Sequence, residues 1–153
     1  MGLALEFYTG DTAAIIAAVE AMDYDRLDDP TVVSARADLS LHLIPKDLDS
    51  LSIALGRAAG LSPIELGPHL EGVMDTPDHG LLSVDSAWVA YVAKVPTAAA
   101  VSVAESWVML MQRAHGDPGI TVTEAMVEAT GQLITLCATA VRDGSAVVHG
   151  WYL

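Results

Sequence analysis

The chain has 153 residues, 52% of them hydrophobic and 18% charged, and its 20 acidic residues against 7 basic ones give a formal net charge of −13. This apolar content excludes a disordered chain, and the acidity makes nucleic-acid backbones and anionic membrane surfaces poor partners, so we expect neither as a partner. The single cysteine allows no internal disulfide, which suits the cytoplasm, where we expect the protein to reside.

Hydrophobic periodicity predicts a strand, a helix, a second strand and a second helix in the first sixty residues. Apolar residues alternate with others over residues 3–8, which is typical of a strand. Asp11 or Thr12 then caps a helix that reaches about residue 22. Alternation over residues 39–43 predicts the second strand, which Pro45 ends, and the second helix runs from about residue 47 to Gly60.

The rest of the chain is predicted to be mostly helical. After a turn at residues 76–80, a short strand is expected at 81–83 and a helix at 85–95. Pro96 starts a longer helix that ends near residue 113. A capping box of Thr121 and Glu124 begins the last helix, which ends at Gly144 and is followed by a strand over 146–152. This last helix is expected to bury an apolar stripe of Met126, Leu133, Cys137 and Val141.

These elements predict a single α+β domain over residues 1–153. Strands near both ends of the chain and a helical middle favour this class over two separate domains. We expect a mainly helical protein with a small, mostly antiparallel sheet formed by N-terminal, middle and C-terminal strands. The first residues lack the basic region and long apolar run of a secretory signal, and the most apolar stretch, residues 98–111, is too short and polar to span a bilayer.

Several short segments resemble the YfbM-like family of uncharacterised bacterial proteins. The segments that carry the resemblance are the Met1-Gly2 start, Leu41-His42, residues 52–56, residues 79–89, residues 136–141 and residues 143–148. The clearest of them is the stretch from His79 to Val89, which is similar to that family's strand-to-helix step. The resemblance implies an α+β fold and an unassigned function, and it transfers no catalytic residues.

A metal site is one hypothesis for the segment around Pro77. His69, Glu71, Asp75 and His79 lie within eleven residues, and imidazole with carboxylate suits Zn²⁺ or Fe²⁺. The spacing matches no standard metal motif. The alternative is a polar, solvated loop, and we expect no cofactor.

Strand alternation suggests a second site. Glu6 shares a strand face with Tyr8, and His42 lies on the predicted second strand. If the two strands are neighbours, Glu6 and His42 meet over the sheet, where a carboxylate and an imidazole perform acid–base work or bind a polar ligand. The alternative is a structural hydrogen bond. Cys137, late in its helix and on the apolar face, is predicted to be a buried structural thiol.

Large aromatic residues suggest a protein interface formed by Trp88, Tyr91, Trp151 and Tyr152. The last two point to opposite faces of the final strand, which could also pair with another chain if it lies at the sheet edge. The alternative is that these aromatics fill the core. Through this apolar surface we expect a homodimer.

The leading functional hypothesis is a non-enzymatic binding or interaction protein that self-associates. A specialised version is an acidic inhibitor or immunity-type protein, because a charge of −13 would steer association with a basic protein partner. The alternative is a small hydrolase or metal-dependent enzyme that uses the His and carboxylate residues named above.

Overall fold

The computed structural model describes residues 4–41, 43–62 and 67–153, in which five strands form one sheet. The strands are β1 (Ala4–Gly10), β2 (Val33–Asp38), β3 (Leu70–Asp75), β4 (His79–Val84) and β5 (Val147–Tyr152). The helices are α1 (Thr12–Glu20), α2 (Pro45–Ala59), α3 (Ser86–Val92), α4 (Ala100–His115) and α5 (Glu124–Asp143), with 3₁₀ helices at Tyr24–Asp28 and Thr97–Ala99. The predicted α+β class, with strands from the N-terminal, middle and C-terminal parts of the chain, is confirmed.

The last strand lies in the middle of the sheet. The strand order is β2-β1-β5-β4-β3, and every neighbouring pair is antiparallel. His149 of β5 lies opposite Phe7 of β1 on one side and opposite Leu82 of β4 on the other. Both edges of β5 are therefore paired within the chain, and the suggestion that it offers an edge to another chain is wrong.

The two faces of the sheet belong to different cores, because successive side chains of a strand point to opposite sides. Phe7 packs in the larger core, among buried residues of α2, α3, α4 and α5. Tyr8 packs in a smaller core with Ile15 and Val19 of α1 and with Leu27 of the first 3₁₀ helix. The sheet thus separates four helices on one face from one helix on the other.

Side-chain caps mark where α1 and α5 begin. Asp11 accepts a hydrogen bond from the Ala14 backbone N–H at 3.0 Å, which confirms the predicted start of α1. The last helix is capped by Thr123, which accepts from the Met126 N–H at 3.2 Å, two residues later than the predicted Thr121.

Among the described residues no single helix is long and apolar enough to cross a membrane. One pair of helices, Ser86–Val92 with Thr97–His115, is long and apolar enough when taken together, but the pair is bent by 80°.

The prediction of a strand over residues 39–43 is wrong for residues 39–41 and 43, and residue 42 lies outside the described residues. The strand lies earlier, at Val33–Asp38, and the Leu41 N–H bonds to the Leu39 carbonyl in a turn that ends the extended backbone. Pro45 begins α2 instead of ending a strand. The hairpin strand β3 was not predicted.

The last helix carries most of its predicted buried stripe. Met126, Leu133 and Cys137 are buried, whereas Val141 is 54% exposed and the adjacent Ala140 faces the core in its place. Cys137 is fully buried, which confirms the predicted buried thiol, and this burial raises its pKa to about 12.

Candidate functional site

A cleft of about 260 Å³ opens on the α1 side of the sheet at Glu6 and Tyr8. It is lined by Glu6, Tyr8, Tyr24, Asp25, Leu27, Asp28, Arg36 and Tyr152. These residues come from β1, β2, β5 and the 3₁₀ helix Tyr24–Asp28. We call this site the tyrosine cleft.

A single guanidinium bridges two carboxylates in the tyrosine cleft. Arg36 Nη2 donates to Glu6 Oε1 at 2.7 Å, and its Nη1 donates to Asp28 Oδ1 at 3.0 Å. Glu6 is only 9% exposed, and a buried carboxylate is costly unless it is paired and hydrogen-bonded. Arg36 therefore makes the burial of Glu6 possible.

Two phenols complete the hydrogen-bond network around Glu6. The Tyr8 hydroxyl donates to Glu6 Oε2, and the Tyr152 hydroxyl donates to the Tyr8 oxygen at 3.3 Å. Burial, and then the hydrogen bond to Glu6, raise the pKa of Tyr8, so its phenol is uncharged at neutral pH. Tyr24 contacts Tyr152 edge to face, with ring centroids 5.0 Å apart.

Gly150 makes room for this arrangement. It lies opposite Glu6 in the sheet, and a Cβ atom built there would come 2.5 Å from the Tyr152 hydroxyl oxygen and 3.0 Å from its ring carbon. A side chain at position 150 would push Tyr152 away from Tyr8. The absence of a side chain on this strand position is thus what lets the Tyr152 phenol reach across to β1.

The tyrosine cleft contains two of the three predicted ligand-binding residues. Glu6 and Tyr8 share a face, as predicted, and are hydrogen-bonded to each other. His42 lies outside the described residues, so the Glu6–His42 pair stays a prediction. Sequence reasoning missed Arg36, although its place between Ala35 and Ala37 in a short alternating segment was a usable signal.

The predicted metal site is not assembled. His69 Nε2 lies 3.8 Å from Glu71 Oε1, but both side chains are about three-quarters exposed. His79 is buried at the start of β4, where its Nδ1 lies 3.1 Å from Thr76 Oγ1. No group of three or more His, Cys, Asp or Glu within the described ranges, which include Asp75, is placed to hold a metal ion. The prediction is wrong because the segment forms an extended hairpin that spreads these side chains apart.

Two of the four predicted interface residues are core residues. Trp88 is 2% and Tyr91 7% exposed, and their polar atoms are bonded inside the core, Trp88 Nε1 to Ser52 Oγ at 2.9 Å and the Tyr91 hydroxyl to the Ser52 carbonyl at 3.3 Å. Neither side chain is available to contact a partner, so the prediction that these two residues form an interface is wrong. Trp151 and Tyr152 are partly exposed on opposite faces of β5. The homodimer stays a prediction.

A carboxylate–imidazole pair does form, between residues that sequence reasoning did not connect. His115 Nε2 lies 2.7 Å from Asp47 Oδ1 in a cleft of about 620 Å³. Asp47 is 4% exposed, and its second oxygen accepts from the Ile44 N–H at 2.8 Å. The pair joins the end of α4 to the start of α2 across 68 positions of sequence, which no local pattern reveals.

A buried histidine lies on the opposite face of the sheet from the tyrosine cleft. The His149 ring stacks on Phe7, with centroids 4.4 Å apart, and its Nδ1 lies 3.1 Å from the Glu6 carbonyl oxygen. A carbonyl only accepts, so Nδ1 carries the hydrogen. Burial lowers the pKa of His149 to about 4, which keeps the ring neutral at physiological pH.

Replacing Tyr8 with phenylalanine tests the network around Glu6. The Tyr8→Phe change keeps the ring and removes the hydroxyl that joins Glu6 to Tyr152. We expect the free energy of unfolding, measured by urea denaturation, to fall by about 1–3 kcal/mol because a buried carboxylate oxygen loses its partner. Tyr24→Phe is the control, since Tyr24 is 41% exposed and its hydroxyl has no hydrogen bond to the described residues. Equal losses in both variants would contradict the network.

His149 predicts a loss of stability in acid. Its pKa is about 4 in the folded chain and about 6.5 when unfolded, so the unfolded chain binds more protons between these values. As the pH falls from about 6.5 to about 4, the free energy of unfolding should therefore decrease by up to about 3 kcal/mol. In the variant His149→Asn this part of the pH dependence should disappear. The exposed control His69→Asn should keep it, and identical curves for wild type and His149→Asn would refute the assignment.

Comparisons with known proteins give no indication of function. No family model, curated protein or solved structure matches the chain. The resemblance to the YfbM-like family therefore stays a prediction. The geometry of the tyrosine cleft carries the functional argument.

Proposed function

We propose that the protein is a non-enzymatic binding protein whose tyrosine cleft receives a cationic side chain of a basic protein partner. The observation that carries the proposal is the composition of this one cleft. Its lining holds three tyrosines and three carboxylates, and its one basic lining residue, Arg36, is already paired with two of those carboxylates. The described lining thus has an excess of negative charge beside aromatic rings.

The chemistry of the lining favours an ammonium or guanidinium group. Aromatic faces attract cations through their electron-rich rings, and carboxylates add charge and hydrogen-bond acceptors. The cleft already uses this chemistry internally, because the Arg36 guanidinium carbon lies 5.7 Å from the centroid of the Tyr8 ring. A second cation is therefore the group that these surroundings suit.

The incoming cation would bind at the outer rim of the cleft. Both oxygens of Glu6 are occupied, one by Arg36 and the other by Tyr8. The Asp28 side chain, by contrast, is 74% exposed, and Asp25 and Tyr24 are exposed beside it. Glu6 and Arg36 would then hold the cleft in shape from below, and the exposed residues of the 3₁₀ helix would contact the cation.

The charge of the whole chain supports a basic protein as the partner. A net charge of −13 creates a long-range field that speeds the approach of a positively charged surface. An inhibitor or immunity-type protein that neutralises a basic partner would use both features. The negative field would speed association, and the tyrosine cleft would bind a cationic side chain of the partner. Each cation–aromatic contact contributes modestly at an exposed site, about 0.5–1 kcal/mol.

Neutralising the rim carboxylates should weaken binding of a basic peptide. We expect the double variant Asp25→Asn, Asp28→Asn to bind a fluorescent oligolysine peptide about tenfold more weakly than wild type in anisotropy titrations at low salt. The physical reason is the loss of two negative charges that face an incoming ammonium group. Wild-type binding should also weaken steeply as salt is added.

The matched control separates the cleft from the overall charge. Glu105→Gln with Glu124→Gln makes the same change in net charge on exposed residues of α4 and α5, which pack on the other face of the sheet. This variant should bind the peptide nearly as tightly as wild type. Equal weakening in the two double variants, or no binding by wild type, would refute the proposal.

A second candidate function is acid–base catalysis on a small substrate, and the Asp47–His115 pair favours it. Asp47 is buried and held through both oxygens, so it orients the imidazole, and the 620 Å³ cleft has room for a substrate. This arrangement gives the small-hydrolase alternative a concrete site, in place of the metal cluster that the hairpin does not form.

Ester hydrolysis tests this second candidate. In His115→Gln the amide nitrogen can still donate to Asp47, but the base is gone, so hydrolysis of para-nitrophenyl acetate should slow by about a hundredfold. The control His69→Gln removes an exposed histidine that does not line this cleft. If wild type and His115→Gln hydrolyse the ester at the same rate, Asp47–His115 is structural.

A further inference from the structure

The helical face of the sheet contains an apolar cavity of about 390 Å³ that the proposed function does not use. The lining residues that matter here are Leu5, Leu48, Leu70, Leu82, His149 and Trp151. Its volume falls within the range of about 300–1,000 Å³ that is typical of small-molecule sites. We call it the His149 cavity.

One ring nitrogen of His149 remains available in this cavity. Nδ1 is committed to the Glu6 carbonyl oxygen, so the neutral ring carries its lone pair on Nε2. No described residue hydrogen-bonds to Nε2, although every fully buried side-chain nitrogen or oxygen in the described chain has a partner. Nε2 is therefore the accessible edge of a ring that is only 5% exposed and that lines this cavity.

The wall beside His149 is shaped by a second glycine. Gly80 lies opposite Trp151 in the sheet, and a Cβ atom built at Gly80 would overlap the Trp151 indole nitrogen. The missing side chain at Gly80 therefore leaves room for the Trp151 indole over β4. It forms an aromatic wall beside the Leu5 and Leu82 side chains, and among the described side chains that line the cavity Nε2 of His149 is the one hydrogen-bond acceptor.

We propose that the His149 cavity binds a small, uncharged, apolar molecule with one hydrogen-bond donor, such as a phenol or an alcohol, whose hydroxyl donates to His149 Nε2. The leucine walls exclude a charged ligand because it would lose its hydration without a counter-charge. Nε2, the one side-chain acceptor of the described lining, selects for a ligand with a donor, because an apolar molecule without one leaves Nε2 unpaired after water is expelled. This inference is independent of the tyrosine cleft, which opens on the other face of the sheet.

A pair of probes that differ by one donor tests the proposal on the wild-type protein. para-Cresol and 4-methylanisole share the ring and the methyl group, but only para-cresol has a hydroxyl hydrogen. We expect para-cresol to bind about tenfold more tightly in titrations followed by NMR. The indole N–H signal of Trp151 should shift, while those of Trp88 and Trp107, which are buried and hydrogen-bonded elsewhere, should not.

Matched histidine variants assign the donor preference to Nε2. In His149→Asn the amide can still donate to the Glu6 carbonyl, but the acceptor at the Nε2 position is lost, so the two probes should bind equally. His79→Asn changes another buried histidine, which does not line the cavity, and should keep the tenfold preference. Equal binding of both probes to wild type, no binding of either, or an unshifted Trp151 signal would overturn the proposal, even if His149→Asn does not fold.

Discussion

The pairing of β5 between β1 and β4 is the constraint on which the rest of the molecule depends. Without this strand the sheet would separate into two ribbons, β2–β1 and β3–β4, that share no backbone hydrogen bonds. Two-stranded ribbons are marginally stable in water. The helices α3, α4 and α5 lie in sequence between β4 and the six-residue strand that joins the two halves. Hydrogen bonds between residues more than 140 positions apart, such as that of His149 with Glu6, come from this closure.

The same strand determines the chemistry of both faces. Tyr152 lines the tyrosine cleft and Gly150 leaves room for it, whereas His149 and Trp151 line the cavity on the opposite side. A slip of one residue in the pairing would exchange these sets between the faces. Such a slip would put an aromatic side chain at the position that Gly150 now leaves open. The Tyr152 phenol would then no longer have a glycine beneath it. The register is thus a requirement of the sites as well as of the core.

The sequence predicted those features that depend on local periodicity. The side chains of Glu6 and Tyr8 share a face because a strand has period two, and α2 and α5 follow from apolar residues at helical spacing. The error at residues 39–43 has a physical cause: Leu39 and Leu41 alternate more strongly than the small apolar residues Ala35 and Ala37 of the true strand. Arg36 could not be assigned to Glu6 from sequence, because cross-strand register arises only on folding. Asp47 and His115 meet for a similar reason, through the packing of two helices.

Glu6 links the two sites through different groups of one residue. Its carboxylate accepts from Tyr8 and Arg36 in the tyrosine cleft, and its backbone carbonyl accepts from His149 on the other face. The hydrogen bond to this carbonyl fixes which nitrogen of His149 carries the hydrogen, and so leaves Nε2 as the acceptor in the cavity. In a chain with 20 acidic and 7 basic residues, a buried carboxylate needs one of the few cations, and Arg36 supplies it. Any displacement of β1 at Glu6 would then disturb the charge pairing on one face and the orientation of the imidazole on the other.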